Sequence, residues 1–288
     1  MTDLPPPRPD AAVAPSADMC HRHPGRPAGR RCTRCARLSC ADCLTPGAVG
    51  SICHDCLRAS RPAASVRARQ WSARNSGALT RAIIAVNVAV FAVMTVADAA
   101  TLNSSVTALH ADLGLYGPFI DGPQDWYRFA TSGFIHFGAI HLAFNMFLLY
   151  QLGRMLEGAL GPVSFSIIYL TSIFGGSAGA LALQPNGLHG GASGAVFGLM
   201  GFAAIGFWRR GVNPMNTGIG SLLLMNLLIT FVVPGISIGG HLGGVVAGGA
   251  CALVESDRRG HTRRPSTVAL LTVLCAVAFI CCVVIASR

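Results

Sequence analysis

Charged side chains are scarce in this sequence, and lysine is absent from it. Only 12% of the 288 residues are charged, all 22 basic residues are arginine, and no Asp or Glu occurs between residues 158 and 254. Together with a hydrophobic content of 52%, this scarcity excludes an ordinary soluble domain of this length. The first 60 residues contain no apolar run, so we predict no secretory signal peptide. Of the 22 arginines, 13 lie between Arg8 and Arg81, which predicts a basic soluble head before a membrane-embedded body.

The composition changes along the chain and predicts five segments. A Pro- and Ala-rich tail, 1–18, is expected to be disordered, and a cysteine-rich head occupies 19–58. A basic linker, 59–80, leads to an apolar body, 81–255, and 256–288 combines a basic loop with a last apolar segment. A spanning helix needs about 20 mostly apolar residues. Seven segments qualify: 81–98, 139–156, 163–183, 191–208, 218–234, 238–255 and 267–286.

The predicted fold class is therefore an all-α polytopic membrane protein that follows a small soluble domain. Inner loops that carry the N-terminal arginines, Arg209–Arg210 and the arginines of 256–266 satisfy the positive-inside rule. This predicts a multi-pass protein of the cell membrane with a cytoplasmic N-terminus and an outer C-terminus. The long connection 99–138 is expected to rest on the outer bilayer surface. Arginine beside a membrane is explained by the bilayer itself, so we expect no nucleic-acid partner.

Seven cysteines and one histidine of the head form four pairs, each with a two-residue gap. This gap lets both side chains of a pair turn toward one ion, and eight soft ligands suffice for two tetrahedral zinc ions. The head is too short for a hydrophobic core, so metal is expected to supply its folding energy. The predicted ligands are Cys20, His23, Cys32, Cys35, Cys40, Cys43, Cys53 and Cys56.

The sequence leaves the pairing of these ligands open. Cross-bracing, in which the first pair shares an ion with the third and the second with the fourth, is one arrangement, and His21 and His54 are spare candidates. A disulfide framework is the alternative to zinc, but the odd cysteine count and the position of His23 argue against it. Over residues 20–56 the head resembles B-box-type zinc fingers, which implies a module that binds a protein partner or sets assembly.

A glycine-rich segment opens the predicted helix 191–208 and contains the candidate nucleophile, Ser193. Gly191 lets the backbone turn sharply, and Gly194 lets a substrate backbone come close. A helix N-terminus also favours a developing negative charge. Small residues are common in membrane helices for packing alone, so this motif is weak by itself.

A serine hydroxyl needs a base, and His241 begins a second glycine-rich helix. The spacing of Gly244 and Gly248 presents a smooth face for close contact with a neighbouring helix. If that neighbour carries Ser193, the two side chains lie at similar depth. A capping or water-binding histidine is the alternative, and His189 is a competing base. No acid is available nearby, so we predict a Ser–His dyad.

The segment 136–157 supplies the remaining polar side chains of the body. His141 and Asn145 are one helical turn apart, so one face carries both, and they are candidate donors to an oxyanion. The backbone N–H of Ser193 is a third. His136 is out of this register and is expected to brace the loop. Glu157 is expected to hydrogen-bond across helices.

Taken together, these motifs resemble the rhomboid family of intramembrane serine proteases over residues of about 81–255. The resemblance implies a six-helix core with one additional C-terminal helix. It implies that Ser193 is the nucleophile, that His241 is the general base, and that His141 and Asn145 line the oxyanion hole. It also implies that Arg128 belongs to an outer-leaflet loop and that Phe197 supports the histidine. The motifs are Trp126-Tyr127-Arg128, His136-x4-His141-x3-Asn145, Gly153-x3-Glu157, Gly191-x-Ser193-Gly194 and His241-x2-Gly244-x3-Gly248.

The resemblance implies hydrolysis of peptide bonds in transmembrane segments of membrane proteins, with no cofactor for catalysis. One alternative is an inactive membrane adaptor whose zinc head recruits partners. Intact Ser193 and His241 argue against it. A small transporter or metal channel is a further alternative, which the lack of paired carboxylates and of an internal repeat argues against.

Overall fold

The computed structural model describes four stretches of the chain: 18–47, 49–60, 77–255 and 265–288. The predicted disordered tail therefore lies outside the described residues except for Asp18. Most of the predicted linker, 61–76, and the loop at 256–264 also lie outside them. The chain divides into two compact units, before and after residue 70, which are the head and a helical body.

The head consists of short antiparallel strand pairs and one helix. In its described part, every buried apolar side chain is a cysteine. This agrees with the expectation that the head has no hydrophobic core of its own. Its elements are β1 (Met19–Cys20) paired with β2 (His23–Pro27), β3 (Arg30–Arg31) with β4 (Leu38–Ser39), β5 (Leu44–Pro46) with β6 (Ser51–Cys53), and α1 (His54–Ala59).

The described part of the body is helical, as predicted. Its long helices are apolar, and the connection before residue 139 contains only short helical turns. The helices are α2 (Ala78–Ala97), α3 (Ala108–Leu113), α4 (Arg128–Thr131), α5 (Ala139–Leu183), α6 (Ser193–Trp208), α7 (Ile219–Val232), α8 (Ile238–Glu255) and α9 (Pro265–Ala286).

Helix α5 is a helical run of 45 residues that is broken at one position. Gly161 has φ 70° and ψ 168°, a conformation that favours glycine, and Pro162 follows it. The chain doubles back here, because the hydroxyl of Ser177 near the end of α5 donates to the carbonyl of Phe129 before its start (2.8 Å). The residues before and after Gly161 are called the first and second arms, and they correspond to two predicted spans. The first arm continues through most of the gap, 157–162, between these two predicted spans.

Two of the predicted spans are too long. In the described residues, α2, α5, α8 and α9 are long and apolar enough to cross a membrane. Helices α6 and α7 have only 16 and 14 residues, fewer than the about 20 that a spanning helix needs. The predictions at 191–208 and 218–234 were therefore wrong in length. Helix α6 buries ten of its residues. It is therefore surrounded mainly by other helices, and it need not span the lipid bilayer by itself.

Glycines bring α6 and α8 into backbone contact. A Cβ atom at Gly244 would overlap the carbonyl oxygen of Gly194, and one at Gly248 would overlap that of Gly198. Small residues permit this close approach of helices in membrane proteins. The smooth face of α8 is thus turned toward the helix that begins with Ser193.

Glu157 caps helix α2 from the far end of the first arm. Its carboxylate accepts hydrogen bonds from the N–H groups of Leu79 (3.0 Å) and Thr80 (2.8 Å), and from the Thr80 hydroxyl (2.7 Å). A carboxylate here satisfies orphan N–H groups and interacts favourably with the helix dipole. A Cβ at Gly153 would lie 2.7 Å from the Thr80 hydroxyl oxygen, so glycine at this position makes room for Thr80.

Replacing Glu157 with alanine is expected to destabilise the body by about 3 kcal/mol, because three donors lose their shared acceptor. The free energy of unfolding, measured by denaturation in mixed micelles, tests this. Glu255→Ala is the matched control, because the Glu255 Oε2 atom has no hydrogen-bond partner among the described residues. Equal losses in the two variants would contradict the capping role.

Candidate functional site

Ser193 follows a backbone turn that requires glycine. Gly191 has φ 126°, a region that side chains rarely enter. A Cβ at Gly191 would lie 2.9 Å from Nε2 of His141 and 3.7 Å from Oγ of Ser193. The N–H of Gly191 donates to the carbonyl of Ser132 (2.8 Å). Both the Ser193 hydroxyl and the His141 ring thus lie within 4 Å of the place that a Cβ at Gly191 would take, which glycine leaves open.

A chain of hydrogen bonds supports this turn from the preceding loop. The backbone N–H of Ala192 donates to Nε2 of His136 (3.3 Å). Nε2 of His110 in turn donates to the His136 carbonyl (3.1 Å), and Nδ1 of His110 accepts from the N–H of Thr107 (3.2 Å). Both imidazoles are fully buried. His136 thus contacts the residue before Ser193 and links it to the loop, as a bracing side chain would.

His241 lies in the first turn of α8 and is held from two sides. Its ring stacks on Phe197, with 3.9 Å between the centroids and 18° between the planes. Phe197 is one turn after Ser193, so the two share a face of α6. Nδ1 of His241 lies 2.7 Å from the hydroxyl of Thr230 on α7. The structure thus turns His241 toward the face of α6 that carries Ser193.

His141 and Asn145 lie one turn apart on the first arm of α5. Nδ1 of His141 accepts from the N–H of Phe137 (3.3 Å), so the neutral ring carries its proton on Nε2. The Nε2–H group of His141 lies on the edge of the ring that is next to Gly191 and Ser193. The Asn145 amide donates to the His141 carbonyl (2.9 Å), which uses one of its two N–H groups. The structure brings His141 beside Ser193 and sets Asn145 one turn further along the helix.

A small cavity of about 40 Å³ adjoins Ser193 and is lined in part by Ser132, Ser177, His189 and Ser237. One water molecule needs roughly 10–15 Å³, so the cavity has room for water. His189, the competing base, donates from Nε2 to the carbonyl of Gln184 (2.7 Å). This bond and the backbone pairing of His189 with Leu115 tie His189 to the cavity wall.

Arg128 holds the first loop together from within. Its Nη1 atom donates to the carbonyls of Ala111 (2.6 Å) and Gly114 (3.0 Å). The guanidinium also lies over the ring of Tyr127 at 5.3 Å. Arg128 is therefore buried and stabilises this loop. None of its hydrogen bonds or ring contacts among the described residues is to Ser193.

Two clusters in the head could hold metal ions. The first contains Cys20, His23, Cys40 and Cys43, and the second contains Cys32, Cys35, Cys53 and Cys56, with the ligand atoms of each within 4.8 Å of one another. The first pair thus meets the third and the second meets the fourth, which is the cross-braced arrangement. Neither His21 nor His54 belongs to a cluster.

The geometry of both clusters fits a tetrahedral ion. With Zn–S bonds of about 2.3 Å, ligating sulfurs lie roughly 3.8 Å apart, and the sulfurs of Cys35 and Cys53 are separated by 3.7 Å. In the first cluster, Nδ1 of His23 lies 3.3 Å from the sulfur of Cys43. The N–H of Cys53 donates to the sulfur of Cys32 and lowers the pKa of that thiol to about 6, which favours the ligating thiolate.

His21 lies outside both clusters and links the two parts of the head that carry them. Its Nε2 atom bonds to Asp55 (3.0 Å), and its Nδ1 atom bonds to the carbonyl of Leu38 (3.0 Å). The bond between His21 and Asp55 raises the pKa of the imidazole and lowers the pKa of the carboxyl group. Because Asp55 lies between two ligands of the second cluster and His21 between two of the first, this ion pair ties the clusters together.

Two residues of this site, Thr230 and His110, belong to none of the motifs recognised in the sequence. Thr230 had a detectable signal, because Asn226 and Thr230 are polar residues one turn apart in an otherwise apolar helix, where polar groups are costly. His110 had no comparable signal, because it lies in a loop and belongs to no motif.

The chain is similar in sequence to rhomboid proteins. A family model for the Rhomboid domain matches residues 123–258. The chain is 31% identical over 160 residues to Rhomboid protease GluP of Bacillus subtilis, covering 54% of this chain and 31% of that protein. It is 29% identical over 161 residues to Rhomboid protease GlpG of Serratia proteamaculans, covering 51% and 56%.

A third relative, Putative rhomboid protease YdcA of Bacillus subtilis, is 31% identical over 128 residues, covering 43% of this chain and 64% of that protein. The matches thus span from about a third to less than two thirds of the length of these relatives. The match to the family model falls on the helical body, which contains several apolar helices of membrane-spanning length. The chain is therefore similar to rhomboid proteases over part of its length, and its residues 123–258 match the Rhomboid domain.

Proposed function

We propose that this protein is an intramembrane serine endopeptidase that cleaves transmembrane segments of membrane proteins with a dyad of Ser193 and His241. The observation that carries the proposal is the stacking of His241 on Phe197, one turn from Ser193, across a glycine contact between α6 and α8. The names of the relatives, which are rhomboid proteases, support the same reaction class.

In the proposed reaction, Ser193 Oγ attacks the carbonyl carbon of the scissile bond, and its proton passes to Nε2 of His241. The oxyanion accepts hydrogen bonds from Nε2–H of His141, the Ser193 N–H and the free amide N–H of Asn145. His241 then gives the proton to the leaving amine. Water subsequently attacks the acyl-enzyme, with His241 as the base again.

The cavity beside the nucleophile would supply water for this last step. The cavity next to Ser193 is large enough for water and has hydroxyl groups in its wall. Glycine and other small residues around it leave the backbone accessible at that depth. A substrate segment that unwinds locally would expose its carbonyl group to the same place.

We further propose that the N-terminus faces the cytoplasm and the C-terminus the outside. The arginine distribution supports this orientation. The packing of Phe279 near the end of α9 against Trp126 in the first loop (5.8 Å) is compatible with an outer end of α9. In this orientation the substrate segment enters from the bilayer and the head meets its protein partner in the cytoplasm.

Reconstitution in liposomes with a model transmembrane substrate tests the proposal. We expect cleavage within the substrate's spanning segment, and we expect a fluorophosphonate probe to label Ser193, as located by peptide mass spectrometry. Absence of both cleavage and labelling in folded protein would favour the inactive adaptor. Cleavage with a label on another serine would reject the assignment of Ser193.

We also propose that the two clusters of the head bind one zinc ion each. Thiolate and imidazole ligands in tetrahedral spacing favour this metal, and metal would replace the missing apolar core as the source of folding energy. The ligands are those of the two clusters described above, with His23 contributing Nδ1.

Purified protein is expected to contain two zinc ions per chain, measured by inductively coupled plasma mass spectrometry. Cys32→Ser should lower the content to about one, because only the second cluster loses a ligand. Cys281→Ser is the matched control, since Cys281 is an exposed cysteine of α9 outside both clusters. Zinc content that is unchanged in Cys32→Ser would contradict the assignment.

A further inference from the structure

The burial pattern of α7 is unusual for an apolar helix. Only two of its side chains are buried, and both are polar: Asn226 and Thr230. Large apolar side chains on the same helix, such as Leu228 and Phe231, are more than half exposed. Burying polar groups is costly unless each is hydrogen-bonded. The side chains that α7 buries most deeply are therefore polar, beside partly buried apolar ones such as Leu222 and Leu223.

The buried hydroxyl of Thr230 has two neighbours at short distance. It donates to the carbonyl of Asn226 (2.8 Å), and it lies 2.7 Å from Nδ1 of His241. Thr230 is only 2% exposed and His241 only 7%. The contact between them is therefore sheltered from bulk water.

Counting protons assigns the direction of this contact. A hydroxyl has one proton to donate and two lone pairs to accept with. Because a carbonyl oxygen can only accept, the proton of Thr230 is used toward Asn226. Nδ1 of His241 must then be the donor, so the neutral ring carries its proton on Nδ1. This leaves the lone pair of Nε2 free to act as a base.

We infer that Thr230 is a positioning residue for His241, holding the Nδ1–H tautomer so that Nε2 is available to Ser193. The inference rests on the proposed dyad. In a Ser–His–Asp triad a carboxylate performs this role, but no Asp or Glu occurs between residues 158 and 254. Here an uncharged hydroxyl would do so without placing a second charge in an apolar environment, where charges are costly.

The same contact stabilises His241 after it receives the proton. When Nε2 takes the proton from Ser193 Oγ, the ring becomes a cation and its Nδ1–H becomes a stronger donor. The hydrogen bond to Thr230 is therefore stronger in the transition state than in the resting enzyme. An interaction of this kind raises kcat and leaves substrate binding unchanged. Phe197 fixes the plane of the ring, and Thr230 fixes its rotation within that plane.

The test compares Thr230→Val, which keeps the shape of threonine, with Thr230→Ser, which keeps the hydroxyl. In the liposome cleavage assay we expect Thr230→Val to lower kcat about 10- to 100-fold with KM within about twofold of the wild type. We expect the rate of fluorophosphonate labelling of Ser193 to fall in parallel. Thr230→Ser should retain kcat within about threefold of the wild type.

Thr171→Val is the matched control. Thr171 is equally buried, at 2%, and its hydroxyl also donates to the carbonyl four residues earlier, that of Ile167 (2.7 Å). Its replacement should leave kcat near the wild-type value. If Thr230→Val does not fold, Thr230→Ala is measured against the same criterion.

Two results would overturn the inference: a kcat for the variant without the hydroxyl that is within twofold of the wild type, or a Thr230→Ser variant as slow as Thr230→Val. Wild-type protein that neither cleaves the substrate nor reacts with the probe would instead reject the proposed function. Failure of the positioning role and failure of the dyad are thus distinguished by the wild-type measurement.

Discussion

Replacing Ser193 with alanine is expected to lower the rate of peptide-bond cleavage by at least about 10⁴-fold, because no other group can form the acyl-enzyme. His241→Ala should have a similar effect, since the hydroxyl is a weak nucleophile without a base. The double variant should be no slower than either single variant, because the two side chains act as one unit. Initial rates on a transmembrane substrate in liposomes measure all three.

Two controls separate this prediction from a general effect on the fold. Ser166→Ala removes a half-buried serine of the second arm and should retain wild-type activity, because among the described residues its hydroxyl donates within its own helix, to the Val163 carbonyl. His189→Ala removes the competing base and should reduce the rate far less than His241→Ala. Cleavage that survives in Ser193→Ala, or a greater loss in His189→Ala than in His241→Ala, would reject the proposed dyad.

Gly248→Ala is expected to destabilise the body by about 3 kcal/mol and to reduce activity as well. A Cβ atom there would overlap the carbonyl oxygen of Gly198. Backbone cannot move aside as a flexible side chain can, so α6 and α8 must separate. This separation would displace His241 from Phe197. The free energy of unfolding in mixed micelles and the initial cleavage rate measure the two effects.

Gly249→Ala provides a matched control in the next position of the same helix. A Cβ atom at Gly249 would meet the side chain of Ile205 at 3.6 Å, an ordinary contact. Because alanine also has a higher helix propensity than glycine, this variant should be neutral or more stable by up to about 1 kcal/mol. If the two variants lose equal stability, the close approach at Gly248 is not what holds α6 and α8 together.

The division into head and body and the identity of the metal ligands could be predicted from sequence. How the ligands are paired could not. Four pairs with identical gaps predict eight metal ligands, because a two-residue gap allows both side chains of a pair to reach one ion. Identical gaps also make the pairs equivalent, so spacing cannot assign partners. Only the path of the chain brings Cys20 to Cys40 and Cys32 to Cys53.

Helix ends were the least predictable part of the body. Hydropathy continues across Gly191 and beyond Val232, but the helices begin and end at Ser193 and Val232. Gly191, with its positive φ, donates its N–H to the Ser132 carbonyl and leaves room for the ring of His141. These contacts come from distant parts of the chain, so no local pattern specifies them.

The sequence by itself determined that the chain has an apolar helical body with few buried ionisable groups, and it singled out Ser193 and His241 among them. The tertiary structure alone decided what His241 touches. The apolar pattern of a helix tells which residues avoid water, but in a body that is apolar on all sides it does not tell how each helix is rotated toward its neighbours. That rotation places Phe197 on one side of His241 and Thr230 on the other.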